Sequence, residues 1–403
     1  MSLSDFIRIV SDPFSNKKKL KLLYFPAKFF LLIVNFILFI IFKIFNFKLL
    51  TAPLEAIGHQ IFDLECFFYE KKKLKYKFTP IILTHGKFIA NKYLLNYQRK
   101  LYNFYEVNNK FLCILLYFQK NFKNITFNTN HYVATRKAAL CYLILKRTNF
   151  FLKLKSDDIE KAELIIKKKK INININKKIV ILHVRDNSFK PYDNESYRSS
   201  NINNFDLAIN YLIKKKYQII RIGNPGMDKS YFNKKILDIS SMNFDEDTQL
   251  LQMYFVSRCS FFIGTCSGPY KFATIFKKPI LTVDMAPAAT SLPVARNAIS
   301  IPKLYYSLKL KKILHFKDVF GYNFSDFRGN DEFKKNDLKL LSTKRTDILE
   351  AVKEIEMLSI KKKIKKTYLQ KKYKNFFCKN SYAYYAESSI SNSFAKKYKH
   401  LIV

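Results

Sequence analysis

From Lys178 onward, short unbroken apolar runs alternate with stretches of helical spacing, and this alternation leaves few architectures open. Lys178 to Val184 reads KIVILHV, Gln218 to Ile222 QIIRI, Phe261 to Ile263 FFI, and Ile280 to Val283 ILTV. Between them, Phe205 to Lys216, Asp247 to Ser257 and Tyr270 to Phe276 have helical character, and Ile236 to Ile239 predicts a further strand. Strands that are apolar on both faces need cover on both faces, and the intervening helices supply it, so the pattern predicts a doubly wound parallel sheet. The first half repeats the theme more faintly. Leu49 to Ile57 reads as a strand ending at Gly58, followed by a helical stretch from Gln60 to Glu70; Phe78 to Thr84 reads as a strand before a helix from Ala90 to Tyr105.

A chain of 403 residues exceeds one ordinary core. The expected fold class is therefore α/β, with two Rossmann-like domains facing a cleft and an N-terminal hydrophobic helix before them. The Lys/Ile/Asn tract from Lys161 to Lys178 marks the boundary. It separates a first domain, residues 49–170, from a second, residues 171–335; residues 336–403 form a helical segment expected to pack back on the first domain.

Residues 1–48 are basic and hydrophobic. The run Phe29 to Phe42 is interrupted only by Asn35. As a helix it measures roughly 21 Å, short of the roughly 30 Å hydrocarbon layer, and only with Phe47 included and Lys43 snorkelling does it span. A membrane-embedded or interfacial anchor is the expectation, a buried helix the alternative. No small-residue cleavage site follows, so a signal peptide is not expected. Basic residues on both sides leave the orientation open.

Lys and Arg total 72 against 31 acids, a net charge of +41. The runs at Lys17–Lys19, Lys71–Lys73, Lys167–Lys170 and Lys361–Lys363 are dispersed and accompany no recognition motif. They read as solvated surface with attraction to anionic lipid, and nucleic acid is not an expected partner. The chain has no Trp and only eight Gly, a composition that AT-rich coding favours. The six cysteines form no CxxC pair, and neither they nor the six histidines have zinc-ligand spacing, so no metal site and no cofactor are expected.

Ligands of open parallel sheets sit beyond the carboxyl ends of the strands. Four such places stand out. His183-Val184-Arg185-Asp186 ends one strand, and the Arg185 guanidinium suits two phosphate oxygens and the growing charge of a leaving diphosphate; an ion pair to Asp186 is the alternative. Gly264-Thr265-Cys266-Ser267-Gly268 joins a strand to a helix with small and hydroxyl residues, as an anion cradle or an ordinary capped turn. Arg221 and Gly223 shape another strand-end turn. Arg198 lies in the loop after the first site, and Asp284 follows strand LTV. In the first half, His59 and Asp63 share a helix face, and they or Glu65 could deprotonate an acceptor hydroxyl; a helix start with exposed acids is the alternative.

These residues resemble a bacterial glycosyltransferase family known mainly from sequence. The resemblance rests on the turn Ala56-Ile57-Gly58-His59-Gln60 leading to Phe67-Phe68, on Ala90-Asn91-Lys92-Tyr93-Leu94-Leu95, and on Tyr197-Arg198-Ser199-Ser200-Asn201-Ile202, together with the strand ends above. The His-x-Arg strand end and Gly-Thr-x-Ser loop also resemble the fucosyltransferase group of GT-B fold. There, Gly268-Pro269 departs from the usual Ser-Asn continuation and Cys266 takes the middle position, which leaves the donor base and sugar open.

The resemblance implies a GT-B-like, metal-independent glycosyltransferase acting in cell-surface polysaccharide or lipopolysaccharide synthesis, at the cytoplasmic face of the inner membrane. Its partners would be a nucleotide-sugar donor and a saccharide acceptor, lipid-linked in one form. By that resemblance Arg185 would hold the donor diphosphate with Thr265 and Ser267 beside it; their places at strand ends and loops make His183, Asp186, Arg198, Arg221, Gly223, Gly264, Gly268 and Asp284 further candidates for the donor site. The catalytic set would be Arg185 with His59, Asp63 or Glu65. The alternative is a non-catalytic basic protein that binds glycans, an anionic membrane surface or nucleic acid.

Overall fold

The computed structural model describes residues 25–117, 119, 123–129, 136–148, 152–188, 194–228, 235–361 and 365–403; for residues 25–32, 123, 136 and 148 it describes the backbone alone. The Lys17–Lys19 run, Lys362 and Lys363 lie outside the described residues.

The N-terminal apolar run forms helix α1 (Phe25–Ile44), which ends before Asn46 at φ 53°. No helix among the described residues is long and apolar enough to cross a membrane. Strand β1 (Phe47–Thr51) starts two residues earlier than the sequence suggests and stops well before Ile57. Pro53 lacks the N–H that would continue the ladder. Helix α2 (Ile57–Lys73) follows, then β2 (Thr79–Leu83). Helix α3 (Lys92–Tyr102) is shorter than expected because it is bounded at both ends: the Asn91 side chain accepts from Leu94 N–H, and Asn103 turns left-handed. Next come β3 (Tyr105–Val107), α4 (Lys110–Tyr117), β4 (Thr126–Asn128), α5 (Arg136–Thr148) and α6 (Ser156–Lys168). The four strands make a parallel sheet in the order β3-β2-β1-β4.

The second unit begins with β5 (Ile179–His183), buried at every residue, then α7 (Asp206–Lys214), β6 (Gln218–Arg221) and β7 (Leu237–Asp238). Helix α8 (Glu246–Arg258) leads to β8 (Phe261–Gly264), the short helix α9 (Tyr270–Ile275) to β9 (Ile280–Met285), and β10 (Ala298–Pro302) follows. A small antiparallel sheet of β11 (Leu304–Ser307), β12 (Lys312–Ile313) and β13 (Leu338–Leu341) branches off before α10 (Arg345–Lys361) and β14 (Ser389–Ile390). The main sheet is parallel throughout, in the order β14-β10-β9-β8-β5-β6-β7. The chain enters at β5, winds outward to β7, then returns to β8 and winds the other way, so the topological switch lies between β5 and β8.

The C-terminal segment packs α10 on α7 and supplies edge strand β14 to the second sheet, and it reaches the first unit through an ion pair between Glu387 and Lys146 on α5. The two units share one apolar core: Phe62, Leu94 and Ala139 of the first join Ile181, Ile220 and Phe262 of the second. Helix α8 is the shared wall, buried without a break from Thr248 to Val256, which is why it lacks a polar stripe. Gln249 on α8 accepts from Tyr93 N–H at 3.0 Å. Beside this seam, half-buried Lys271 donates to the Tyr382 hydroxyl at 2.6 Å and sits 4.5 Å from the Phe62 ring centroid.

Candidate functional site

The two motifs that stand out in the sequence meet at the switch point. His183 and Gly264 are register partners, and Thr265 N–H donates to the His183 carbonyl at 3.1 Å. Beyond the strand end, Arg185 N–H donates to Thr265 Oγ1 at 2.8 Å, so the loop after β8 fixes the backbone that carries the guanidinium.

Arg185 is buried, and its Nη2 donates to Glu195 Oε2 at 3.3 Å. The same oxygen accepts from Arg198 Nη1 at 2.5 Å. Two guanidinia thus share one carboxylate. Burial, then the like charge of Arg198, lower the Arg185 pKa, but a guanidinium stays protonated at any ordinary pH. Glu195 went unnoticed in the sequence because its partners converge on it only through the loop.

His183 occupies the sheet face that looks toward the first unit, with Ile181 and Phe262. Its Nδ1 lies 3.1 Å from the Ile222 carbonyl, which makes Nδ1 the protonated nitrogen. Burial, helped by the charges of Arg221 and Arg185, pushes its pKa down to about 4, so the ring is neutral near pH 7. Its Nε2 is buried with no hydrogen-bond partner among the described residues.

The other candidates divide by accessibility. Ser267 and Gly268 are half-buried at the loop surface. Asp186 is buried, accepting from Ser188 N–H at 3.0 Å and Asp228 N–H at 2.6 Å, and forms a turn beside a cavity of about 920 Å³. That cavity is lined by second-unit residues, including Tyr197, Lys303 and Lys339. Arg221 is fully buried with Nη1 3.0 Å from Asp238 Oδ2, an ion pair across β6 and β7. Gly223 shapes the following turn, and its carbonyl accepts from Gln252 at 2.7 Å. Asp284 is fully buried at φ 54° and accepts from the Ser200 hydroxyl and from Thr343 N–H and Oγ1 at 2.7 Å each. These bonds give Asp284 the work of tying the 196–202 loop to the segment before α10. Lys303 supports the same loop, donating to the carbonyls of Tyr197 at 2.8 Å and Ser199 at 2.7 Å.

In the first unit, His59 Nδ1 lies 3.0 Å from Asp63 Oδ2, the pairing that the four-residue spacing predicts. Asp63 is buried and His59 partly exposed. Glu65 is completely buried and accepts from the Tyr102 hydroxyl. The His59 turn abuts the second unit's loop: a Cβ on Gly268 would lie 2.4 Å from Gly58 N, and one on Gly58 2.8 Å from Gly268 Cα. Gly264 is likewise hemmed in, by the Phe262 ring at 2.5 Å from a built Cβ. Gly58 and Gly268 thus pack backbone against backbone. Among the described residues, no group of three or more His, Cys, Asp or Glu is placed to hold a metal ion.

No protein-family model matches the sequence. No curated protein matches it either. Among solved structures, the chain is similar to the ADP-heptose lipopolysaccharide heptosyltransferase II of E. coli at 9% identity, covering 64% of this chain and 90% of that one with a TM-score of 0.42. A glycosyl transferase of family 9 from Veillonella parvula matches at 10% identity over 77% of this chain and 97% of that one, with a TM-score of 0.47. The iron-containing dodecameric glycosyltransferase TibC of enterotoxigenic E. coli matches at 12% identity over 63% of each chain, with a TM-score of 0.38.

Proposed function

We propose that this protein is a glycosyltransferase that moves a sugar from a nucleoside-diphosphate donor, bound at the β5/β8 switch point, to a hydroxyl of a saccharide acceptor. The observation that carries this reading is the Arg185–Glu195–Arg198 group, locked to the loop after β8 through Thr265. A diphosphate offers planar guanidinia more oxygen acceptors, and more negative charge, than the single Glu195 carboxylate, so it can displace Glu195 and keep both arginines.

The chemistry then follows. The acceptor oxygen forms a bond to the anomeric carbon as the bond to the diphosphate breaks, and Arg185 and Arg198 take up the charge that grows on the leaving group. In an inverting transfer His59, held through Nδ1 by Asp63, receives the acceptor's proton on Nε2. His183 Nε2, a bare acceptor at the crevice floor, is suited to a ribose or sugar hydroxyl.

The test is release of nucleoside diphosphate from a panel of common nucleotide sugars, with and without saccharide acceptors, by the full chain. Turnover of at least one donor is expected. If no nucleotide sugar is turned over or bound while polyanions bind tightly, the protein is a basic binding protein and this reading fails.

A further inference from the structure

We infer that the first unit docks in the plane of an anionic lipid bilayer through the outward stripe of helix α1 and the neighbouring helix α4. This goes beyond the transfer reaction and does not depend on it.

Helix α1 is apolar on two faces. Its inner stripe, with Leu38, Phe39 and Phe42, packs on Leu49, Ile81 and Leu83 of the first sheet, in a core layer separate from the one shared with the second unit. Asn35, the one polar residue in the run, is used on this structured side: Gln119 Nε2 donates to its carbonyl at 3.0 Å and its Oδ1 at 2.9 Å. The outer stripe consists of Ile33, Phe36, Ile37, Ile40, Ile41 and Ile44, all exposed. Their spacing of three and four residues runs unbroken for about 17 Å along the helix. A water-facing stripe should be polar, and this one has no polar member.

The patch extends beyond α1. Helix α4 packs beside it and exposes Phe111, Leu112 and Tyr117, while Phe45, 63% exposed, continues it at the helix end. Exposed apolar side chains in this number on two helices in contact mark an interaction site.

Charge identifies the occupant. Between Pro13 and Leu54 the chain carries seven lysines and no Asp or Glu. Lys43 lies within the last turn of α1, and Lys110 opens α4. Apolar side chains flanked by lysines such as Lys43 and Lys110 fit acyl chains beneath anionic headgroups. The inner stripe of α1 is packed on the first sheet, which leaves one face of the helix for lipid, so the geometry is in-plane. The first sheet lies between this surface and the His59 side of the unit, since α2 packs on the opposite layer.

The chain contains no Trp, so a single introduced one reports depth directly. Full-length protein is mixed with vesicles of phosphatidylcholine alone or with phosphatidylglycerol. Co-sedimentation with the anionic vesicles is expected, reduced at least about tenfold by the double substitution Ile37→Glu with Ile41→Glu, and less by Phe111→Glu. Brominated lipid should quench Ile37→Trp but not Tyr322→Trp, an exposed site in the second unit. Circular dichroism melts of the variants confirm folding. The proposal is overturned by three results: wild-type protein that ignores anionic vesicles, charge variants that bind undiminished, or a dimer in light scattering that the Ile37/Ile41 variant dissolves without any vesicle binding by the wild type.

Discussion

The two units place the same backbone construction at their switch points and fill it with different chemistry. In the first, Thr51 ends β1 opposite Asn128 of β4, and Thr129 N–H donates to the Thr51 carbonyl at 3.1 Å. In the second, His183 ends β5 opposite Gly264 of β8, and Thr265 N–H donates to the His183 carbonyl at the same 3.1 Å. The threonine hydroxyls part company. Thr129 Oγ1 bends back to the Thr51 carbonyl at 3.1 Å, whereas Thr265 Oγ1 accepts from the backbone of Arg185. After β1 come Ala52, Pro53 and Leu54; after β5 come Val184, Arg185 and Asp186. Topology makes a crevice in both units, and side chains decide which of them holds a charged ligand.

The largest expected effect that sharpens this contrast is on binding. Arg185→Ala should weaken nucleoside-diphosphate affinity roughly a hundredfold, about 3 kcal/mol, in a calorimetric titration. Thr51→Val, at the matching place in the first unit, should leave affinity unchanged. Glu195 keeps Arg198 as a partner in the Arg185 variant, so its melting temperature should move little.

The next effect concerns pH. His183 titrates near 6.5 when unfolded and near 4 when folded. Its pKa is therefore depressed on folding: the unfolded chain takes up a proton first, and stability is lost as pH falls from about 6.5 towards 4. The loss is on the order of 3 kcal/mol. Denaturant melts of His183→Asn, whose amide can still donate to the Ile222 carbonyl, should show a flatter acid limb. An unchanged acid limb would place the sensitive group elsewhere.

Smaller is the packing effect at the seam. Gly268→Ala must displace the Gly58 backbone and should cost about 1–3 kcal/mol in stability. A neutral result would show that the two units separate there more readily than their contact suggests.

Much of the second unit was legible because β5 and β8 are buried at every residue and so are built on unbroken apolar runs. The first unit was harder to read. Its strands β3 and β4 have three residues each, too few to show a period, and they are specified by pairing with β1 and β2. At the site, the strand-end arginine and the hydroxyl loop could be named from sequence, but their bond could not, because eighty residues separate Arg185 from Thr265. Glu195 was hidden for the same reason. The Gly58 and Gly268 turns could each be seen, while their contact is a property of the assembled fold. Half-buried Lys271 and buried Lys303 were concealed among 72 basic residues, where composition argues for solvent. Asp284 could be named at its strand end, but its buried bonds to Ser200 and Thr343 could not.

The central claim is that the second unit's crevice, and not the first's, receives the donor. Amide hydrogen exchange of the full chain, with and without saturating nucleoside diphosphate, tests it most directly. The account predicts slower exchange in residues 184–187, 195–200 and 265–268, with residues 52–55 and 129 unaffected. Protection confined to the first unit's crevice, or no protection in either, would contradict it.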